Sequence, residues 1–253
     1  MPDLWISVAI LLTFFLAGVV KGVIGMGLPS VSLAILAVLI DLPSAMALLI
    51  APSLVTNAWQ GLSGGHLRQI LQRRWLFLLS ATLAIGLGSA MFSWFRIPVL
   101  TALLGALLAL YAVLGLTGLQ LRPSPSRARA LAVPTGLING VLTGLTGSFV
   151  VPGVLYLQAL QLPRAELIQA MGVLFTLSTL ALGVSLYITD ALPATLTATS
   201  LLAVLPAVAG MPLGQRIRSR LSDSMFRRTF FVGLLLIGGY LAWSALLALG
   251  GQS

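Results

Sequence analysis

Hydrophobic runs, divided by charged, proline and glycine residues, fall at roughly 5–27, 28–40, 43–63, 75–94 and 98–119, and again at roughly 131–150, 151–161, 164–188, 192–213 and 229–249. Most are near the length of about 20 apolar residues that carries a helix across about 30 Å of hydrocarbon. Between the two series lies Arg122-Pro-Ser-Pro-Ser-Arg127-Ala-Arg129, a basic, proline-rich stretch that reads as a linker. The expected fold is an all-α polytopic membrane protein of eight to ten segments. Residues 1–121 form a first membrane repeat, 122–130 a cytoplasmic linker and 131–253 a second repeat.

The two series look like copies. The spacing of Gly18, Gly22 and Gly25 recurs at Gly140, Gly144 and Gly147, and Gly88 and Gly210 stand at the same separation. Asp41-Leu42-Pro43 parallels Gln161-Leu162-Pro163, each opening a longer apolar run. Matching order, spacing and following proline point to an internal duplication.

Loop charge sets the orientation. If every segment crosses, the loops holding Arg68, Arg73, Arg74, Arg122, Arg127, Arg129, Arg164, Arg216, Arg218, Arg220, Arg227 and Arg228 share one side. Arg96 alone lies opposite, with Asp3, Asp41 and Asp190. If the short runs at 28–40 and 151–161 do not cross, the basic residues divide almost evenly, against the cytoplasmic bias of Lys and Arg. Ten crossings, five per half, then invert the second half and leave both termini outside and the basic loops cytoplasmic. The short runs reach only about 20 and 17 Å as helices. They are expected as half-helices or partly extended stretches, tolerated at membrane depth only when buried in protein or lining a cavity. A pair of short, Gly/Pro-interrupted segments at corresponding places in inverted halves points to a transporter binding site.

Composition narrows the class. With 58% hydrophobic and 8% charged residues, against about 25% charged in soluble domains, the chain cannot cover a water-facing surface. Its 253 residues leave no room for a soluble catalytic domain beside the spans. The net charge of +9 is then a topology signal, and no nucleic-acid partner is expected. The absence of cysteine excludes disulfides, thiolate metal sites and cysteine nucleophiles. The first segment follows Asp3 and lacks both a basic n-region and a small-residue cleavage site, so it reads as a retained span.

Two stretches carry a family resemblance. Gly18-Val-Val-Lys21-Gly22-Val-Ile-Gly25-Met-Gly27-Leu-Pro29 and Gly140-Val-Leu-Thr143-Gly144-Leu-Thr-Gly147-Ser-Phe-Val-Val-Pro152 resemble the paired signature of the TauE/SafE sulfite exporter family. The Leu-Pro before the next helix and Gly210-Met-Pro212-Leu-Gly214 extend the resemblance over essentially the whole chain. The family's run of consecutive glycines is here only Gly25-Met-Gly27, and Gly147-Ser-Phe in the second copy. The resemblance implies a permease for a small sulfur-containing anion, of the sulfite, thiosulfate or organosulfonate class. The expected location is the bacterial cytoplasmic (inner) membrane.

Candidate substrate contacts follow from the polar residues inside the runs. Lys21 sits within the first span at the first glycine break, where an ionisable side chain is a functional hypothesis by default; the competing reading is a lysine snorkelling to the cytoplasmic interface. Gly22, Gly25, Gly27, Gly144 and Gly147 permit unusual backbone angles and expose N–H groups to an anion, although GxxxG spacing also serves close helix packing. Asn57, Asn139, Thr143 and Ser148 add amide and hydroxyl donors suited to an oxyanion. Gln60, Thr146, Thr176, Ser178 and Thr179 form a wider set, for which interhelical hydrogen bonding is the plainer reading.

Asp41, Glu166 and Asp190 lie at segment ends, so no carboxylate is placed mid-span to carry protons. His66, the single histidine, falls in a basic loop and makes a poor metal site alone. No metal or cofactor is expected. Ser148 lacks a GxSxG setting and a nearby base, which argues against an intramembrane hydrolase. The arginines at 216–228 set orientation or meet anionic lipid headgroups. An anion or small-solute channel, a transporter of another small organic acid and a structural subunit stay open as alternatives, as does a homo-oligomer.

Overall fold

The computed structural model describes residues 4–119, 122–218 and 223–250, and among them every regular element is helical. The helices are α1 (Leu4–Ile24), α2 (Leu28–Leu39), α3 (Leu42–Leu48), α4 (Ile50–Leu62), α5 (Leu67–Met91), α6 (Ile97–Thr117), α7 (Pro125–Thr146), α8 (Gly153–Ala159), α9 (Arg164–Ile188), α10 (Ala194–Arg218) and α11 (Asp223–Gly250). Local signals set several starts. The Asp41 carboxylate accepts the Ser44 N–H at 2.7 Å ahead of α3, and the Ser124 hydroxyl accepts the Arg127 N–H at 3.5 Å ahead of α7. Each pairs a side-chain cap with a proline in the first turn, the position where its missing N–H is harmless.

Six described helices are long and apolar enough to cross a membrane, and the α3–α4 pair, bent by 45°, makes a seventh. By that measure the count stands below the eight to ten expected. α2 has 12 residues and α8 only 7. α7 has 22 residues, with Pro134 inside it.

The basic positions are not the loops that the apolar runs suggested. α5 starts at Leu67, α7 at Pro125 and α11 at Asp223, ahead of the runs at 75, 131 and 229. Arg68, Arg73, Arg74, Arg127, Arg129, Arg164, Arg216, Arg218, Arg227 and Arg228 therefore lie within helices, each within eight residues of a helix end, while Arg122 stays between α6 and α7. Arginine is a good helix former, and its long stem lets a helix run past the hydrocarbon edge with the charge in water. Arg220 and Asp3 lie outside the described residues. Exposed Trp75 and Trp94 bracket the apolar stretch of α5 and the turn after it. At 1.5 Å per residue they stand about 28 Å apart, the spacing of two membrane interfaces. Between them Leu79, Leu83 and Leu87 are exposed, as a lipid-facing helix requires.

The chain forms two compact units, each drawn from both sequence halves. One comprises Met1–Pro52, Phe95–Gly118 and Ala191–Ser253. In it α1 packs on α10, and α6 on α11. A methyl group at Gly18 would strike the Ala207 carbonyl, and one at Gly22 the Met211 carbonyl, so backbone touches backbone along α1–α10. The break between α3 and α4 is closed by Ser200 of α10, whose hydroxyl donates to the Leu48 carbonyl at 2.7 Å and accepts the Ala51 N–H at 3.1 Å.

The other unit comprises Ser53–Trp94 and Leu119–Asp190. Its main contact, α5 on α7, repeats the α1–α10 arrangement. A methyl at Gly140 would strike the Ala81 carbonyl and one at Gly144 the Ile85 carbonyl. The first helix of each sequence half thus packs on the fourth segment of the other half, through glycines at matching positions. α4 is tied to α9 by three bonds: Gln60 Nε2 donates to the Ile168 carbonyl at 2.6 Å, Gln169 Nε2 donates to the Gly61 carbonyl at 2.9 Å, and the His66 N–H donates to Gln169 Oε1 at 2.8 Å. His66 thereby precedes the first turn of α5.

Candidate functional site

In the second unit α7 ends at Gly147, whose φ of 71° lies in the left-handed region that favours glycine. From there the chain runs back along α7, bonded at successive levels. Thr143 Oγ1 donates to the Ser148 carbonyl at 2.9 Å, Asn139 Oδ1 accepts the Gly153 N–H at 2.8 Å, and the Tyr156 hydroxyl donates to the Ala128 carbonyl at 3.0 Å. These partners descend α7 from its last turn to its first, about 23 Å of helix between Thr143 and Ala128. The returning stretch covers that height although α8 itself has only 7 residues. The Ser148 carbonyl and the Ser148 and Gly153 N–H groups are satisfied by α7 side chains, as irregular backbone at membrane depth requires.

Those bonds decide which donors are left for a guest. The Thr143 hydroxyl is spent on Ser148, and the Thr146 hydroxyl donates to the Leu142 carbonyl at 2.7 Å while accepting the Ser148 N–H at 3.2 Å. Because a backbone N–H needs an acceptor, the Asn139 carbonyl must face Gly153, and its amide nitrogen points away. Asn139 Nδ2, Ser148 Oγ and Ser178 Oγ are buried and have no hydrogen-bond partner among the described residues. The three residues are each 2% exposed or less. They come from α7, the returning stretch and α9. Gly153 lies against both Asn139 and Leu174, the Phe149 and Phe175 rings stand 5.9 Å apart, and Ser178 is one turn beyond Leu174 on α9. An unsatisfied buried donor costs about 1–3 kcal/mol, and these three stand on α7, the stretch after it and α9, which meet at Gly153 and at the Phe149–Phe175 ring pair.

In the first unit the corresponding break follows Lys21. The Gly25 N–H donates to the Lys21 carbonyl at 2.8 Å, and Gly25 and Gly27 have φ of 78° and 103°. Gly27 precedes α2, with Pro29 in its first turn. Met26, between the glycines, receives the Tyr111 hydroxyl at 3.1 Å from its sulfur. Lys21 is 3% exposed, in the last turn of α1.

The candidate residues therefore divide by role. Lys21, Gly25 and Gly27 gather at the first break; Asn139, Thr143, Gly147 and Ser148 gather at the second. Gly22 and Gly144 lie inside helices against a partner backbone. Asn57 is fully buried on α4, one turn from buried Ser53. Ser53, Ser89 and Gln169 are buried polar residues that sequence reasoning did not single out. For Ser53 a signal existed, since it falls four residues before Asn57 on the same face. For Gln169 none did, because its partners Gly61 and His66 are remote in sequence.

The family model described as sulfite exporter TauE/SafE matches residues 10–241. No curated protein and no solved structure matches the chain. The matched residues include both glycine breaks, the α1–α10 and α5–α7 contacts and every buried donor described above, and the chain belongs to the sulfite exporter TauE/SafE family.

Proposed function

We propose that the protein is a permease that moves a small sulfur-containing anion, of the sulfite, thiosulfate or organosulfonate class, outward across a bacterial cytoplasmic membrane by alternating access at its two glycine breaks. The observation that carries this reading is the set of buried donors without partners, Asn139 Nδ2, Ser148 Oγ and Ser178 Oγ, beside the Gly147 break. Donors without neighbouring acceptors suit a ligand that brings only acceptors, which describes a sulfur oxyanion. Lys21 supplies a positive charge at the other break, and the family's transport of sulfite supports the substrate class. Export needs no coupled proton: with the cell interior negative, expelling one negative charge gains about 2.3 kcal/mol per 100 mV.

Ten crossings in two inverted halves belong to the same reading. It is supported by the matched packing of α1 on α10 and α5 on α7, and by the stretch after Gly147 that retraces α7. With that topology both termini lie outside and the arginine-bearing helix ends face the cytoplasm.

The test is thermal. A ligand that binds only the folded state stabilises it by about 2.7 kcal/mol at one hundred times its Kd. Protein in detergent is to be melted with sulfite, thiosulfate, sulfoacetate, taurine, sulfate and chloride. A rise in melting temperature with a sulfur oxyanion and none with chloride is the expected result; no rise with any of them contradicts the reading.

A further inference from the structure

The second unit holds a cavity of about 760 Å³ at the end of α7 remote from the Gly147 break. Its wall carries Arg73 and Arg74 from α5, Arg122 from the segment before α7 and Arg129 from α7, with Phe77 and Tyr156 among the lining residues. Among the described residues no aspartate or glutamate lines it. The Phe77 and Tyr156 rings lie 4.6 Å apart, and the Tyr156 hydroxyl is committed to the Ala128 carbonyl, so the aromatic part of the wall is fixed. Nε of Arg74 is buried without a hydrogen-bond partner among the described residues. Arginines gathered around one concavity present an excess of positive charge to an entering anion. Guanidinium groups match the paired oxygens of sulfonate, sulfate and phosphate better than any other side chain does. Trp75, exposed at the lipid interface, also lines the cavity, so both a dissolved anion and a lipid headgroup can reach it.

We propose that this arginine-lined cavity is a second oxyanion site, separate from the buried donors at the Gly147 break, which takes a tetrahedral sulfur or phosphorus oxyanion group. It is separate because its floor lies at the level of Ala128 and Tyr156, whereas the Gly147 donors lie at the level of Asn139 and beyond along α7. It depends on the arginines and not on transport, so its success or failure is independent of the permease reading.

The natural absence of cysteine gives a direct probe. Ala159 lines the cavity, and Ala159→Cys is labelled with an uncharged maleimide in the full chain. Sulfate in detergent and phosphatidylglycerol in nanodiscs form the two arms, with chloride at equal ionic strength and phosphatidylcholine as their respective controls. At about ten times the dissociation constant, labelling is expected to slow about tenfold. Arg74→Gln and Arg129→Gln each abolish the protection, while Arg68→Gln, an exposed residue on the same helix outside the cavity, keeps it. Protection in the sulfate arm assigns the site to a dissolved anion; protection confined to the phosphatidylglycerol arm assigns it to a headgroup. Unchanged labelling in both arms overturns the proposal, as does protection that survives both arginine substitutions. Should Arg74→Gln fail to fold, Arg129→Gln alone decides.

Discussion

The side-chain carbonyl of Asn139 accepts the backbone N–H of Gly153 at 2.8 Å, and this one bond leaves the amide nitrogen of Asn139 facing away without a partner among the described residues. Asn139 therefore holds the returning stretch in place and presents donors at the same time. Asn139→Ala removes both: it strands the Gly153 N–H, at a cost of about 1–3 kcal/mol, and it removes the proposed substrate contact. A lower melting temperature together with lost anion response is the expected outcome. A variant that is less stable yet retains the full anion response would confine Asn139 to a structural role.

Ser148 separates those two effects. Its Oγ is buried with no partner among the described residues, so Ser148→Ala strands none of their groups. The variant is expected to melt at or slightly above the original temperature while its affinity for the anion falls about tenfold or more, since hydrogen bonds to charged groups contribute about 1.5–3 kcal/mol. Isothermal titration checks the affinity. A loss of stability with unchanged affinity would show that the hydroxyl serves packing alone.

Paired glycines test the helix contacts. Gly18→Ala and Gly140→Ala place a methyl group against the Ala207 and Ala81 carbonyls, and overpacking of this kind costs about 1–3 kcal/mol. Gly86→Ala, on α5 with nothing within 4 Å of the added carbon, is expected to be neutral or stabilising by up to about 1 kcal/mol. Melting temperatures in detergent rank the three. Equal behaviour at Gly18 and Gly86 would contradict the close α1–α10 approach.

Ser200 tests the broken helix. Ser200→Ala frees both the Ala51 N–H and the Leu48 carbonyl at the α3–α4 bend, and a loss of about 1–3 kcal/mol follows. Faster hydrogen exchange at Ala51 than in the unsubstituted protein is the local signature, and unchanged exchange there would argue that the bend holds itself.

Much of this fold was legible because a membrane span is a long-range pattern written in consecutive residues. The apolar run at 164–188 coincides with α9 as found, and the short runs at 28–40 and 151–161 did mark short helices after glycine breaks. Helix ends were less legible, because hydropathy fades at the interface while the helix continues, as at Arg68 to Arg74. The glycine motif was legible as a motif but not as two roles. Spacing alone does not distinguish Gly22, pressed on Met211, from Gly25 and Gly27, which turn the chain. Nor does sequence reveal which donors of Asn139, Thr143 and Thr146 are consumed internally, since that depends on where the backbone after Gly147 passes.

The central claim is transport of a sulfur oxyanion through contacts at the two breaks, and flux measures it most directly. The unsubstituted protein, Ser148→Ala and Lys21→Gln are to be reconstituted in liposomes loaded with sulfite or thiosulfate, and efflux followed against concentration under an imposed potential. The account predicts saturable efflux from the unsubstituted protein and a strong loss in both variants at matched incorporation. Efflux that rises linearly without saturating, or that is unchanged in both variants, would contradict it.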